Sequence, residues 1–204
     1  MRDHMQLATR RAYSGKLLRL DVDTVRFPDG STGNLELIRH PGASAVIPCA
    51  DDPGARDPTI LMLRQFRYAA GGELWEIPAG TLAPGEAPEE CARRELLEEA
   101  GVTAARLEHL TSIFTTPGFT DEVIHLFLAR GLTPGRAAHE ADEFIEVVPQ
   151  PLSRILAGAR DGAVRDAKTL VAILYMAAFV LGSQGDTVSP GGDTAGQGGT
   201  KSSP

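Results

Sequence analysis

Cysteine is nearly absent: only Cys49 and Cys91 occur among 204 residues, far apart and without metal-type spacing. Two are too few for a disulfide framework, and reduced, buried thiols in a cytoplasmic protein are expected. Basic residues are also in short supply, with 20 Lys and Arg against 27 Asp and Glu, a formal net charge of -7. That sign argues against general nucleic-acid binding, because phosphate backbones must be met by basic surface. Long hydrophobic runs are missing as well. The longest, Leu170 to Leu181, is too short to span a bilayer and follows the charged residues Asp166 and Lys168, so it reads as a buried helix. No basic N-region followed by an apolar stretch opens the chain, so no secretory signal is expected. No internal repeat is visible.

What is present is the composition of a globular protein, 42% hydrophobic and 23% charged, long enough for one ordinary domain with a core. An acidic protein is not barred from a small phosphorylated substrate, since divalent cations screen such a substrate from carboxylates. Acidity therefore hints at a metal if carboxylates can be found together.

Loose alternation from Gly15 to Arg39, with Leu17 to Val25 and Leu35 to Ile38 separated by Pro28, Asp29 and Gly30, predicts an N-terminal antiparallel hairpin or meander over residues 1–40. Strands are expected at Ala43 to Pro48, Thr59 to Arg64, Leu74 to Ile77, Leu107 to Phe114, Glu122 to Ala129 and Phe144 to Val148. A long polar loop is expected from Gly131 to Asp142. A helix follows Pro88, which suits a first turn, with Glu89 and Glu90 complementing the dipole and Gly101 as C-terminal cap. Leu152 to Ala159 and Ala167 to Leu181 read as further helices. Strands with interspersed helices over 41–182 predict an α/β sandwich on a mixed sheet. Residues 183–204 are Gly, Ser, Thr, Pro and Asp with almost nothing apolar, and are expected to be disordered.

The chemistry concentrates in GTLAPGEAPEECARRELLEEAGV, Gly80 to Val102. Glu95, Glu98 and Glu99 stand three and four positions apart and project from one helix face. Taken alone they fit a solvated acidic face as well as a cluster of hard oxygen ligands for Mg²⁺ or Mn²⁺.

This run resembles the box of the Nudix hydrolases: Gly, five residues, Glu, seven residues, Arg-Glu, an apolar residue, any residue, Glu-Glu, any residue, Gly and an apolar residue. Gly80, Glu86, Arg94, Glu95, Leu96, Glu98, Glu99, Gly101 and Val102 fill every specified position. The resemblance implies an α/β/α sandwich on a mixed sheet and hydrolysis of a pyrophosphate bond. The loop from Gly80 to Gly85 would let backbone approach the diphosphate, and Glu86 would pair with Arg94 to pin that loop to the helix. Glu95 and Glu99, one turn or about 6 Å apart along the axis, suit shared metal ions. The resemblance further implies that the carbonyl of Ala79 is a metal ligand, and Glu98 stands beside these as a catalytic candidate.

Beyond the box, TTPGFTDE places Pro117 sixteen residues past Gly101, similar to the marker of the ADP-ribose pyrophosphatase subfamily. The likeness extends from about Leu17 to Val180 and includes LIRHPGASAVIP, LMLRQFRYA and ELWEIPAG. Carried over residue by residue, Arg39 and Arg67 match arginines that hold phosphate or sugar, a task suited to the guanidinium fork. Arg64 competes with Arg67. Glu122 would accept hydrogen bonds from the distal ribose. Tyr68 or Phe119 would stack on adenine or serve as packing, and Trp75 reads as packing. In the loop HEADEFIEV, Glu140, Asp142 and Glu143 compete for the general base or last metal ligand, Glu143 favoured and Glu140 second, with His139 taken as exposed. The resemblance implies a homodimer exchanging N-terminal strands and hydrolysis of ADP-ribose to AMP and ribose 5-phosphate. Another ADP-sugar, GDP-mannose, or a non-catalytic nucleotide-binding module are the alternatives.

Overall fold

A computed structural model describes residues 5–51, 55–138 and 144–181. The expected tail, 183–204, lies outside the described residues. The described residues form three sheets. The first is antiparallel, in the order β1 (Gln6–Ser14), β2 (Arg19–Arg26), β3 (Thr32–Ile38). Strand β1 was not foreseen from the sequence. All nine of its residues are exposed, so its pattern carries no buried face, and it forms by pairing with β2 instead.

The second sheet has the order β7 (Ala79–Thr81), β4 (Ala43–Pro48), β9 (Val123–Pro134), β8 (Val102–Phe114). It is mixed, because β4 runs parallel to β9 while β7 and β8 pair antiparallel. The third is antiparallel, β10 (Ile145–Pro151), β5 (Thr59–Arg67), β6 (Gly72–Glu76). Two expectations are corrected here. The opening of the predicted box loop, Gly80 and Thr81, is strand, held against Ser44 and Ala43. The start of the predicted polar loop is also strand, since ladder pairing with Val102, Thr103 and Ala104 carries β9 on to Pro134.

Every residue of β4 is buried, so both sides of this strand face packed layers. Ala45 and Ile47 look into a core with Ile60, Met62, Leu126, Leu128, Ile155 and Ile173. Val46, on the opposite side, meets Ala92, Leu96, Phe127 and Ala129. Helix α1 (Pro88–Ala100) thus covers one face, and α2 (Leu152–Asp161) and α3 (Ala167–Tyr175) contribute to the core on the other. The result is the layered sandwich expected. The last helix is not continuous: α3 passes into a π-helical turn at Met176–Leu181. No helix among the described residues is long and apolar enough to cross a membrane.

Candidate active site

Helix α1 starts with Pro88, whose missing N–H costs nothing in a first turn. Ala87 offers no side-chain acceptor, but its N–H donates to Glu90 Oε2 at 3.2 Å. Ser44, fully buried in β4, donates from Oγ to the Pro88 carbonyl at 2.7 Å and ties the helix start to the sheet. At the other end Gly101 takes φ +66°, a left-handed conformation that favours glycine, and donates to the Leu97 carbonyl.

Because Ala92, Leu96 and Ala100 face the sheet, Glu95 and Glu99 are turned toward β7. They are not on a solvated face: Glu95 is 8% and Glu99 3% exposed. Glu99 Oε2 accepts the Ala79 N–H at 2.8 Å. Glu95 lies directly over Gly80, where a Cβ would stand 1.8 Å from its Oε1. The glycine is there because a carboxylate fills the space of a side chain. Glu98 is the open member, its side chain 41% exposed.

Arg94 organises the acids. Its Nε and Nη2 donate to the two oxygens of Glu86 at 2.9 and 3.0 Å, and its Nη1 serves Glu95 and, at 3.0 Å, Glu98. Glu86 also accepts the Ala83 N–H at 2.8 Å, so the predicted ion pair does pin the loop to the helix. The Arg94 guanidinium and the Ala83 N–H pull the Glu86 carboxyl down to about 2. Cys91 is a bystander. Burial first, then the Glu95 charge, pushes its thiol up to about 11, and it donates weakly to the Gly80 carbonyl at 3.4 Å.

Ala79, Gly80, Arg94, Glu95, Glu98 and Glu99 line one cavity of about 490 Å³, and Arg67 joins them from the end of β5. Arg67 gives Nε and Nη2 to Glu76 at 2.8 and 3.0 Å. Glu76 was missed by the sequence reading. Its carboxylate is buried between Arg67 and Lys168 of α3, with the signal hidden in ELWEIPAG as an acid in an apolar strand. Burial alone would raise this carboxyl, but the two cations outweigh it and hold it below the ordinary range. Arg64, the competitor, is three positions away on the same strand and pairs instead with Glu73 and Glu146.

The cavity fits a divalent cation. Three glutamates line it against two arginines, and those arginines are also engaged by Glu86 and Glu76. Carboxylates and a carbonyl are the hard donors that Mg²⁺ and Mn²⁺ prefer. Among the described residues no three acids are already closed into a ligand cluster. His139, Glu140, Asp142 and Glu143 lie outside the described residues.

The remaining candidates are not brought into this cavity wall. Arg39 lines two adjoining cavities, one of which shares Leu17 and Thr81 with the box cavity, and all three of its nitrogens bond to aspartates. Glu122 accepts from Thr115 Oγ1 at 2.8 Å and lies 3.5 Å from His40 Nδ1. Pro117 borders the cavity that holds Arg39 and Asp121. Tyr68 is 89% exposed and Phe119 52%, so neither packs in the core. Trp75 packs against the core, as read from the sequence.

A buried pair of glutamates on a helix, a glycine strand beneath them and a mixed-sheet sandwich define a Nudix hydrolase. The chain belongs to that family: the NUDIX domain matches residues 39–170. An ADP-ribose pyrophosphatase of Bacillus subtilis (strain 168) is 41% identical over 172 residues, covering 83% of this chain and 90% of that protein. A methanol dehydrogenase activator of Bacillus methanolicus is 38% identical over 172 residues, with the same coverage of 83% and 90%. The crystal structure of an ADP compounds hydrolase superposes with a TM-score of 0.73 over 87% of this chain and 94% of that one, at 21% identity, a likeness of fold.

Proposed function

We propose that the protein hydrolyses the pyrophosphate bond of ADP-ribose, yielding AMP and ribose 5-phosphate. The observation that carries the reading is the single cavity in which Arg67 faces the box glutamates over Gly80. Water adds to one phosphorus, the bond from that phosphorus to the bridging oxygen breaks, and the bridging oxygen leaves with the other phosphate. Ala79, Glu95 and Glu99, with Glu143 from the loop, would hold Mg²⁺ or Mn²⁺, which neutralises diphosphate oxygens and makes bound water more acidic.

The chain's own residues do the rest. Arg67 uses Nε and Nη2 on Glu76, and among the described residues its Nη1 has no hydrogen-bond partner, so it is available to a phosphate. Gly80, having no side chain, leaves the room in which the Glu95 carboxylate lies against the cavity floor. Arg94 aligns Glu95 and Glu98, while Glu86 ties the loop at Ala83 to Arg94. Proton removal from water falls to Glu143 first and Glu140 second, with Glu98 the most exposed of the three box acids that line the cavity. Glu122 receives the distal ribose hydroxyls.

The preference for ADP-ribose is supported by the named Bacillus subtilis relative. Action as a homodimer is supported by the wholly exposed edge strand β1 with Leu7 and Tyr13 on it. Action in the cytoplasm is consistent with two buried, unbridged thiols. The test is kcat/KM for ADP-ribose, ADP-glucose, GDP-mannose and NADH, with Mg²⁺ and with Mn²⁺. ADP-ribose should lead. A tenfold lead by GDP-mannose or NADH overturns the substrate while leaving the pyrophosphatase standing.

A further inference from the structure

Arg39 and Arg67 resemble each other in the sequence but not in their surroundings. Arg39 follows β3 directly, and its side chain meets three carboxylates, two from β2 and one from the loop before β9. Its Nε donates to Asp21 Oδ2 at 3.1 Å, its Nη2 to Asp23, and its Nη1 to Asp121 Oδ2 at 3.3 Å. Asp21 and Asp23 are buried neighbours on one face of β2, whereas Asp121 belongs to the loop that ends at Glu122. Arg11 reaches Asp21 from β1, and Thr9 donates to Asp23 at 2.6 Å.

The charge count is unfavourable for an anionic ligand. Three carboxylates meet two guanidiniums here, so a substrate phosphate arriving at Arg39 would compete with acids already in place. Each of the three nitrogens of Arg39 already donates to an aspartate.

The backbone continues the same link. Phe119 accepts the Ile38 N–H at 2.8 Å, and Thr120 Oγ1 donates to the Ile38 carbonyl at 3.1 Å. The His40 N–H donates to Asp121 Oδ1 at 2.8 Å. The end of β3 and residues 119–121 are therefore fastened together, and Arg39 extends that fastening into the N-terminal sheet.

We infer that Arg39 is a positioning residue that couples the N-terminal sheet to the loop 115–122 and sets the place of Glu122, rather than a ligand of the substrate phosphates. The inference rests on the substrate reading above only in giving Glu122 the distal ribose. Asp121 is the other half of the device. An aspartate beside Glu122 holds the loop through Arg39 and the His40 amide, and the Glu122 carboxylate is set between Thr115 Oγ1 and His40 Nδ1 at the same place.

The test compares Arg39→Ala, Asp121→Asn, the double variant Arg39→Ala/Asp121→Asn, Arg39→Lys and Arg11→Ala. Each is assayed with the panel of nucleoside diphosphate sugars and its melting temperature is measured. Arg11 belongs to the same polar network but, among the described residues, its side chain pairs only with Asp21, so Arg11→Ala reports on a loosened N-terminal sheet. Arg39→Ala and Asp121→Asn should each lower the ratio of kcat/KM between the best and second-best sugar by about fivefold or more. The double variant should lose no more than either single, and Arg39→Lys should restore part of the ratio. Arg11→Ala should lower the melting temperature while leaving the ratio intact.

Two results overturn the inference. One is a uniform rise in KM for every diphosphate in Arg39→Ala with the ranking kept, as for a lost phosphate ligand. The other is the same change of ranking in Arg11→Ala. The wild-type ranking decides the substrate by itself, so failure of the ADP-ribose reading is seen separately from failure of the coupling.

Discussion

The carboxylate of Glu95 occupies the space in which any side chain at position 80 would have to begin. An added Cβ would stand 1.8 Å from Oε1, 2.1 Å from Cδ and 2.6 Å from Oε2. Strand β7 and helix α1 are thus brought together at the point where the chemistry needs a carboxylate next to backbone.

Gly80→Ala should therefore act through Glu95. Either the glutamate swings away or β7 shifts from β4, and overpacking of this kind costs about 1–3 kcal/mol. Turnover should fall by roughly 100-fold, the scale on which a 1 Å displacement in an active site is felt. Calorimetry and single-turnover kinetics check the two halves. An alanine enzyme with wild-type turnover would show that Glu95 does not need its position over Gly80.

Glu95→Gln and Glu99→Gln keep size and an acceptor oxygen but remove charge, and Glu99→Gln still takes the Ala79 N–H. Each should lower turnover by at least roughly 100-fold, the usual cost of removing one preorganised electrostatic group, with the melting temperature nearly kept. Glu89, whose exposed carboxylate pairs with Arg93 one turn on, is the control. Glu89→Gln should change stability by no more than about 0.5 kcal/mol and leave turnover intact. Equal behaviour of all three variants would return the acidic helix to a solvated surface.

These contrasts also mark what could be read from the chain. Helix α1 was legible because Pro88, Glu89, Glu90 and Gly101 are local signals for its two ends, and the box spacing named its chemistry. The burial of Glu95 and Glu99 was not legible, since it depends on β7 folding over them. Strand β1 escaped because period-2 alternation reveals a strand only when one face is buried, and here neither is. Glu76 escaped because its partners Arg67 and Lys168 come from other elements. Arg39 was legible as an arginine suited to anions. The three aspartates around it stand 16, 18 and 82 positions away and were not.

Acid should weaken the pin between loop and helix over a definite range. The folded Glu86 carboxyl is pulled from the ordinary value of 4.5 down to about 2, chiefly by Arg94. A depressed carboxyl contributes stability that is present above its unfolded value and is lost as pH falls through its folded value. The contribution should thus be complete above about pH 4.5 and gone near pH 2. Glu86→Gln should be less stable than wild type above that window by a constant amount, and the gap should close inside it. Urea melts at intervals from pH 7 to pH 2 measure this, and a gap independent of pH would remove Glu86 as its source.

Arg67 and Lys168 share Glu76, and the two ends of that triad should fail differently. Arg67→Ala leaves the buried carboxylate with Lys168, so the fold should survive while the phosphate loses a charged donor. A hydrogen bond to a charged group is worth about 1.5–3 kcal/mol, which corresponds to a rise in KM of roughly tenfold to 150-fold, beside a loss of stability from the buried Glu76 left with Lys168 alone. Arg67→Lys should recover only part of it, because an ammonium cannot hold Glu76 with two nitrogens and a phosphate with a third. Lys168→Met removes the cation on the side of α3, where only 13% of the lysine side chain is exposed. Leaving a buried charge short of a partner costs about 3–5 kcal/mol, and the remaining Arg67 pair places this case at the lower end. Its KM should rise as well, since Arg67 is then drawn more firmly onto Glu76. Steady-state kinetics beside thermal melts on the three variants separate these effects. A large stability loss in Arg67→Ala with KM unchanged would make Arg67 a structural partner of Glu76 and leave the phosphate without its arginine.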